Sequence, residues 1–278
     1  MISNIPQKSY GMLNTDHFNS PLDEVADQVS RLGYAIFESG YSSLEIERMS
    51  QAFDRIQGLY LRDWGIERLR ALNEHNTIRA LLTLGEPVFI ELATNSKLIE
   101  IVGKLIKGKF ILNQQNGIIN PPGQHYNQGL WHRDLPYQHF TSSTPLAINA
   151  LFCLDAFTLE NGATFVLPAS HKVGSFPAEQ YIQNNAIQIS AKPGDFILLD
   201  CMLFHSGGFN RSSSSRRGIN HVYNIPYFRQ QIQLAGNIDS ANLSKEAIEV
   251  LGISNAEPRT IEEFFNSRRP ISRSREYP

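Results

Sequence analysis

The chain has 278 residues, of which 41% are hydrophobic and 19% are charged, a composition ordinary for a globular protein that buries a large core. Its 25 basic and 27 acidic residues give a formal net charge of −2. The basic excess typical of nucleic-acid binding is therefore missing, and we expect no nucleic-acid partner.

Both cysteines lie inside apolar runs, which is the usage of small buried side chains and excludes a disulfide framework. The N-terminal residues do not have the pattern of a secretory signal, and no apolar run approaches the length that crosses a bilayer. We therefore expect a cytoplasmic protein without a membrane partner.

Helix signals dominate the first third of the chain. Ser20 and Pro21 have the pattern of an N-cap and a first helical residue, and apolar residues at helical spacing follow as far as Gly33. The segment from Ser42 to Glu45 has the pattern of a capping box and predicts a second helix. A further helix is expected over residues 97–106.

From about residue 110 the pattern changes to short β-rich runs separated by turn signals, which predicts a sandwich or a barrel. The run over 196–205 is nearly all apolar, so we expect one face to line the barrel and the other to pack under the N-terminal helices. Two short helices are expected near the C-terminus, over 244–251 and 260–265. The predicted strands lie within residues 110–120, 146–155, 163–167, 186–189, 196–205 and 218–227.

Three residues form a candidate metal site. In an extended segment residues two apart point the same way, so His132 and Asp134 can reach one ion. His205 is expected at the end of the apolar strand, where small residues follow and the imidazole can face a cleft. Two imidazoles and one carboxylate leave three positions of an octahedral metal open, as in non-haem Fe(II) oxygenases.

Arg216 is the candidate anion-binding residue. Strand alternation places Arg216, Gly218 and Asn220 on one face, and a guanidinium facing the barrel interior requires an anion. Two open metal positions suit a chelating 2-oxo acid, and the third suits O2. The planar, permanently charged guanidinium suits the distal carboxylate of 2-oxoglutarate.

The sequence resembles the phytanoyl-CoA dioxygenase family over roughly residues 22–228. The resemblance depends on the order of His132-x-Asp134, His205 and Arg216, and on the stretch NGATFVLPASHK (161–172), where Ala169 replaces the usual glycine. Between these motifs lies KPGD (192–195).

This resemblance implies a mostly β fold with flanking helices, a double-stranded β-helix of the cupin-like jelly-roll type. It implies Fe(II) held by His132, Asp134 and His205, with 2-oxoglutarate and O2 as co-substrates and Arg216 on the distal carboxylate. Gln115 matches a position of a further co-substrate contact, and Ser206, which lies beside His205, is a second candidate for such a contact. Because Asp134 is retained, the resemblance favours hydroxylation or another oxidation over halogenation.

We find no repeat and no long linker, and therefore expect one oxygenase domain over residues 1–278. Within it we distinguish an N-terminal extension (1–20), a helical bracing region (21–109), a jelly-roll core (110–228), and a C-terminal helical extension with a tail (229–278).

The expected substrate is a small molecule. Candidate contacts are Tyr137 and Gln138, which follow the metal motif, and Asn149 and Leu151, which alternate towards the cavity on a predicted strand. Substrate identity, the type of oxidation and the oligomeric state stay open. The alternative is a catalytically silent or non-oxidative metal-binding jelly-roll protein, against which the complete ligand set and Arg216 argue.

Overall fold

The computed structural model describes residues 10–12, 17–135, 139–255 and 257–268. Its helices are α1 (Pro21–Leu32), α2 (Ser43–Trp64), α3 (Ile66–Ala71), α4 (Val88–Ala93), α5 (Ser96–Leu105), α6 (Glu179–Asn185), α7 (Lys245–Val250) and α8 (Ile261–Ser267). Its strands are β1 (Tyr34–Glu38), β2 (Thr77–Ile78), β3 (Ile111–Asn120), β4 (Ala147–Cys153), β5 (Phe165–Val166), β6 (Ile187–Gln188), β7 (Asp195–Asp200), β8 (His205–Ser206) and β9 (Arg216–Asn224).

The two N-terminal helices begin where the capping signals predict. The hydroxyl of Ser20 accepts from the backbone N–H of Asp23, whose carboxylate accepts from the Ser20 backbone in return. Ser42 and Glu45 form the same reciprocal box at the start of α2. Helix α1 ends at Gly33, whose φ of 84° is a left-handed conformation that glycine adopts without strain.

Two antiparallel sheets form the core of the fold. The larger has six strands in the order β1-β7-β4-β9-β3-β2, and the smaller has three in the order β6-β5-β8. Val166 of the small sheet packs in one apolar cluster with Ile197 and Leu199 of the large sheet, so the sheets face each other. This arrangement confirms the predicted jelly roll with flanking helices.

The helices cover the outer face of the large sheet. Phe53 of α2, Phe89 of α4 and Ile101 of α5 join Phe196 of β7 in the main apolar cluster. Gly117 lies under the Phe53 ring, where an added Cβ would stand 2.6 Å from the ring edge. With the outer face covered in this way, the inner face is left to line a cavity between the sheets.

The apolar run 196–205 is not one strand. Strand β7 ends at Asp200, where the backbone N–H of Leu203 donates to the Asp200 carbonyl and that of Met202 to its carboxylate. This turn carries the chain to the second sheet, where His205 opens β8. The prediction that His205 ends the apolar strand was therefore wrong, because the turn residues are themselves buried and apolar.

The division into an N-terminal extension, bracing region, core and C-terminal extension stays a prediction. Among the described residues, no helix has the length and apolar character needed to cross a membrane.

Candidate active site

The three predicted metal ligands meet at one point of the inner cavity. His132 and His205 are paired across an antiparallel bridge, and each backbone N–H donates to the other's carbonyl, at 2.9 and 3.0 Å. Asp134 Oδ1 lies 3.6 Å from His132 Nε2 and 3.7 Å from His205 Nε2. One donor atom from each of the three residues lies within 4.8 Å of the other two.

Both imidazoles are held in the tautomer that a metal requires. His132 Nδ1 lies 2.6 Å from the Leu130 carbonyl, and His205 Nδ1 lies 2.9 Å from the Leu203 carbonyl. Because a carbonyl oxygen only accepts, each Nδ1 must carry the hydrogen and donate. The lone pair is then on Nε2, the atom that faces Asp134.

Charge in the cluster matches this donor set. Burial alone would raise the pKa of the Asp134 carboxyl, but the adjacent His205 and His132 imidazoles bring it well below its usual range. Burial lowers the pKa of His205, which favours the neutral imidazole. For His132 the effect of the Asp134 carboxylate exceeds that of burial, and the pKa is raised. A carboxylate beside two imidazoles fits a divalent transition metal, whose positive charge would take the place of a proton on His132.

The second oxygen of Asp134 faces away from the imidazoles. Asn149 on β4 donates from Nδ2 to Asp134 Oδ2 at 2.9 Å, which leaves Oδ1 directed at both histidines. The Asn149 side chain therefore lies against a predicted ligand, and its Oδ1 is buried without a hydrogen-bond partner among the described residues.

Arg216 opens β9 and points into the same cavity. It is 4% exposed, its guanidinium carbon lies 3.8 Å from the centre of the Phe157 ring, and Nη2 donates to the Tyr126 hydroxyl at 3.2 Å. Its Nε is buried without a partner, and among the described residues no carboxylate forms a salt bridge with it. Burial lowers the pKa of Arg216, as expected for a cation removed from water without an anion.

The cavity that joins these groups has a volume of about 50 Å³ and is partly open to solvent. Its wall contains the three predicted metal ligands, Arg216, and the predicted substrate contacts Asn149 and Leu151. The other lining residues are Ile118, Tyr126, Gln128, Thr164, Leu199, Gly207 and Asn220.

Two predicted co-substrate contacts do not line this cavity. Gln115 lies on the outer face of β3, where its amide nitrogen is 2.7 Å from the Phe89 carbonyl and 2.9 Å from His221 Nε2. Side chains two apart on a strand share a face, and Ile118, three residues from Gln115, lines the cavity. Gln115 therefore lies on the opposite face, under the helices, and its predicted place at the co-substrate is corrected accordingly. Ser206 is buried, and its hydroxyl donates to the Gly207 carbonyl.

Tyr137 and Gln138 lie outside the described residues. The sequence reasoning missed Tyr126, Gln128 and Thr164 as cavity residues. Strand alternation had placed Asn220 on the same face as Arg216, which was a signal that it could line the cavity. The loop that carries Tyr126 and Gln128 has no periodicity, so no sequence signal pointed to these two residues.

Comparison with known proteins places the chain in a family. The phytanoyl-CoA dioxygenase family model matches residues 29–218. Uncharacterized protein Rv1501 of Mycobacterium tuberculosis is 30% identical over 219 residues, which cover 77% of this chain and 79% of that protein. Ectoine dioxygenase of Sphingopyxis alaskensis is 24% identical over 227 residues, with 70% and 72% covered.

Solved structures agree with the fold. EctD from S. alaskensis, in a crystal structure with 2-oxoglutarate and 5-hydroxyectoine, has a TM-score of 0.64 at 22% identity, covering 78% of this chain and 81% of that one. HygX from Streptomyces hygroscopicus, with nickel, 2-oxoglutarate and hygromycin B bound, has a TM-score of 0.56 at 17% identity, covering 74% and 88%. The chain thus belongs to the phytanoyl-CoA dioxygenase family and is a non-haem Fe(II)- and 2-oxoglutarate-dependent dioxygenase.

Proposed function

We propose that His132, Asp134 and His205 hold Fe(II), that Arg216 binds the distal carboxylate of 2-oxoglutarate, and that the enzyme hydroxylates a small molecule beside them. The observation that carries this proposal is the convergence of two Nε2 atoms and one carboxylate oxygen within 4.8 Å, in a cavity that also contains an unpaired buried guanidinium. Iron, when bound, would couple the oxidative decarboxylation of 2-oxoglutarate by O2 to oxidation of the substrate, with release of succinate and CO2.

The side chains contribute positioning and charge. The two Nδ1–H groups fix the imidazole rings against backbone carbonyls, and the Asn149 amide fixes the carboxylate, so three donors are oriented before any ion arrives. The buried guanidinium supplies a fixed positive charge in a site from which water is largely removed, where it attracts a carboxylate more strongly than in water. Together these groups define the two ends of a dicarboxylate site.

A catalytically silent or non-oxidative jelly-roll protein would have no use for Arg216 in its present state. A guanidinium buried without an anion costs free energy, which a bound carboxylate would recover. This observation supports the oxygenase and does not favour the alternative.

The molecules bound in the similar structures support a small-molecule substrate. EctD was crystallised with 5-hydroxyectoine and HygX with hygromycin B, both of which are small molecules. For this chain we propose a small metabolite that binds in the cavity beside the predicted metal ligands, near Asn149 and Leu151.

The metal assignment is tested by replacing Asp134 with alanine. The dissociation constant for Fe(II), measured without oxygen, should rise by more than the roughly 10- to 100-fold that loss of an outer-shell residue costs. Succinate formation with a panel of small metabolites should be lost in parallel. The matched control is Asp155→Ala, since the Asp155 carboxylate pairs with Arg217 outside the cavity. Iron affinity equal to that of the wild type in Asp134→Ala would remove Asp134 from the site.

A further inference from the structure

Tyr126 contributes a buried phenol to the wall of the cavity, beside Arg216. It lies in the loop between β3 and His132, is 8% exposed, and lines the cavity with Arg216. Among the described residues it is the only side chain hydrogen-bonded to the Arg216 guanidinium, which donates to its hydroxyl oxygen at 3.2 Å. Sequence reasoning assigned it no role.

The Tyr126 hydroxyl has a proton left to donate. Its oxygen accepts from Arg216, and no acceptor for its own hydrogen is found among the described residues. Burial raises the pKa of Tyr126, so the phenol keeps this proton at neutral pH. A buried guanidinium and a buried phenol, both with unused hydrogens and adjacent to each other, form a site for an anion.

Because residue 207 is a glycine without a side chain, there is space beside it for the Tyr126 hydroxyl. A Cβ at position 207 would overlap the Tyr126 hydroxyl, and it would also stand 3.1 Å from the Gln128 carbonyl. The φ of Gly207 is not in the left-handed region, so the requirement for glycine there is one of space and not of backbone conformation. The backbone N–H of Gly207 donates to the Gln128 carbonyl at 2.7 Å, which fixes the Tyr126 loop beside β8.

We propose that the Tyr126 hydroxyl is the second contact of the co-substrate's distal carboxylate, and that with Arg216 it selects a 2-oxo acid that ends in a carboxylate. The inference rests on the proposed function of Arg216. A carboxylate has two oxygens, and a guanidinium and a phenol side by side can each donate to one. Tyr126 therefore determines which 2-oxo acid binds, without touching the metal.

The test compares two ligands that differ only at the distal end. 2-Oxopentanoate has the same 2-oxo acid head as 2-oxoglutarate and a methyl group in place of the distal carboxylate. Dissociation constants for both are measured by calorimetry on the Mn(II)-loaded protein without oxygen. Tyr126→Phe should weaken 2-oxoglutarate binding roughly 10- to 100-fold, the value of a hydrogen bond to a charged group, and leave 2-oxopentanoate binding unchanged.

Two further variants complete the test. Tyr223→Phe is the matched control, because it removes a buried phenol that donates to the Ala93 carbonyl on the outer face, and it should alter neither constant. Gly207→Ala keeps the Tyr126 phenol but displaces it, and should reproduce the selective loss.

The outcomes separate this inference from the proposed function. Equal affinity of the wild-type protein for the two ligands would overturn both the role of Arg216 and that of Tyr126. A wild-type preference for 2-oxoglutarate that survives intact in Tyr126→Phe or Gly207→Ala would overturn the role of Tyr126 alone. Equal weakening of both ligands in these variants would likewise contradict it, because it would indicate a disturbed metal end.

Discussion

The polar residues on the two faces of strand β9 differ in how completely they are hydrogen-bonded. On the inner face Arg216 has one hydrogen bond, to Tyr126, and a buried Nε without a partner among the described residues. On the outer face the next residue, Arg217, donates from Nε and Nη2 to Asp155 at 3.0 and 2.7 Å and from Nη1 to Asp54 at 2.6 Å.

The other polar residues of β9 differ in the same way. Asn220 faces the cavity, and its side-chain oxygen has no partner among the described residues. His221 faces the helices, with Nδ1 2.9 Å from the Ala150 carbonyl and Nε2 2.9 Å from the Gln115 amide. Buried polar groups are normally hydrogen-bonded, so unmade bonds concentrated on one face mark the face that a ligand completes. The inner face is built for binding and the outer face for stability.

The largest effect is expected from replacing Arg216 on the inner face. In Arg216→Ala the 2-oxoglutarate requirement should rise roughly 30-fold or more, since truncating one partner of a buried charge pair costs at least about 2 kcal/mol. Because the guanidinium has no anion in the ligand-free protein, its removal should cost little stability. Steady-state kinetics with varied 2-oxoglutarate, together with urea unfolding, measures both. An unaltered requirement would point to a different anion-binding residue.

Asn149, on the neighbouring strand β4, provides a second test of the binding role of the inner face. In Asn149→Ala the Asp134 carboxylate loses the partner of Oδ2 and is free to rotate, so metal affinity should fall about 10- to 100-fold, as for other outer-shell residues. The dissociation constant for Co(II), titrated by its visible absorption, measures this. A contact that served only the substrate would leave the Co(II) constant unchanged, which would contradict the positioning role.

Arg217 should show the opposite behaviour to Arg216. Arg217→Ala removes a partly buried cation shared by two carboxylates, and the free energy of unfolding should fall by about 1–2 kcal/mol. The 2-oxoglutarate requirement should not change, because the side chain faces away from the cavity. Loss of co-substrate affinity in this variant, with stability intact, would reverse the assignment of the two faces.

The smallest effect is expected from pH acting on His221. Burial, partly offset by hydrogen bonds from the imidazole to backbone groups, lowers the pKa of His221 to about 4. The unfolded chain, with an ordinary pKa near 6.5, takes up a proton first, so stability is lost as the pH falls from about 6.5 towards 4. Between pH 7 and 5.5 this group should remove about 1 kcal/mol from the free energy of unfolding.

The contribution of His221 to the pH dependence of stability must be measured as a difference between the wild type and a His221 variant. The reason is that a second group titrates in the same range, since burial raises the pKa of Asp200 to about 6. A carboxyl with a raised pKa destabilises the fold above that pH and acts in the opposite direction over the same interval. The gap in unfolding free energy between wild type and His221→Gln should therefore narrow on acidification. A gap independent of pH would show that His221 titrates normally in the fold.

Local signals predicted the parts of the fold that depend on neighbours in sequence. The capping boxes at Ser20 and Ser42 located two helices, and strand alternation correctly placed Arg216 and Asn220 together on the cavity face. The convergence of His132 with His205 was expected from their residue types, and the structure brings them together.

Features that depend on contacts between distant parts of the chain could not be predicted from local signals. Nothing local shows which face of β3 is covered by helices, and the register shifts between Leu112 and Gln114. The family position matched to Gln115 therefore could not reveal that its side chain lies on the covered face. The turn at 201–204 is as apolar as a strand because it is buried between the sheets. Tyr126 reaches Arg216 only through the folded loop.

The backbone bridge between His132 and His205 makes the proposed metal site depend on the pairing of two chain segments. Because side chains alternate along an extended segment, a slip of one residue in this pairing would turn one of the two imidazoles away from the other and put a neighbouring side chain in its place. An ion held by both rings would fasten two chain segments that are far apart in sequence. Thermal unfolding should accordingly shift to higher temperature as free metal increases, by mass action on the folded state alone.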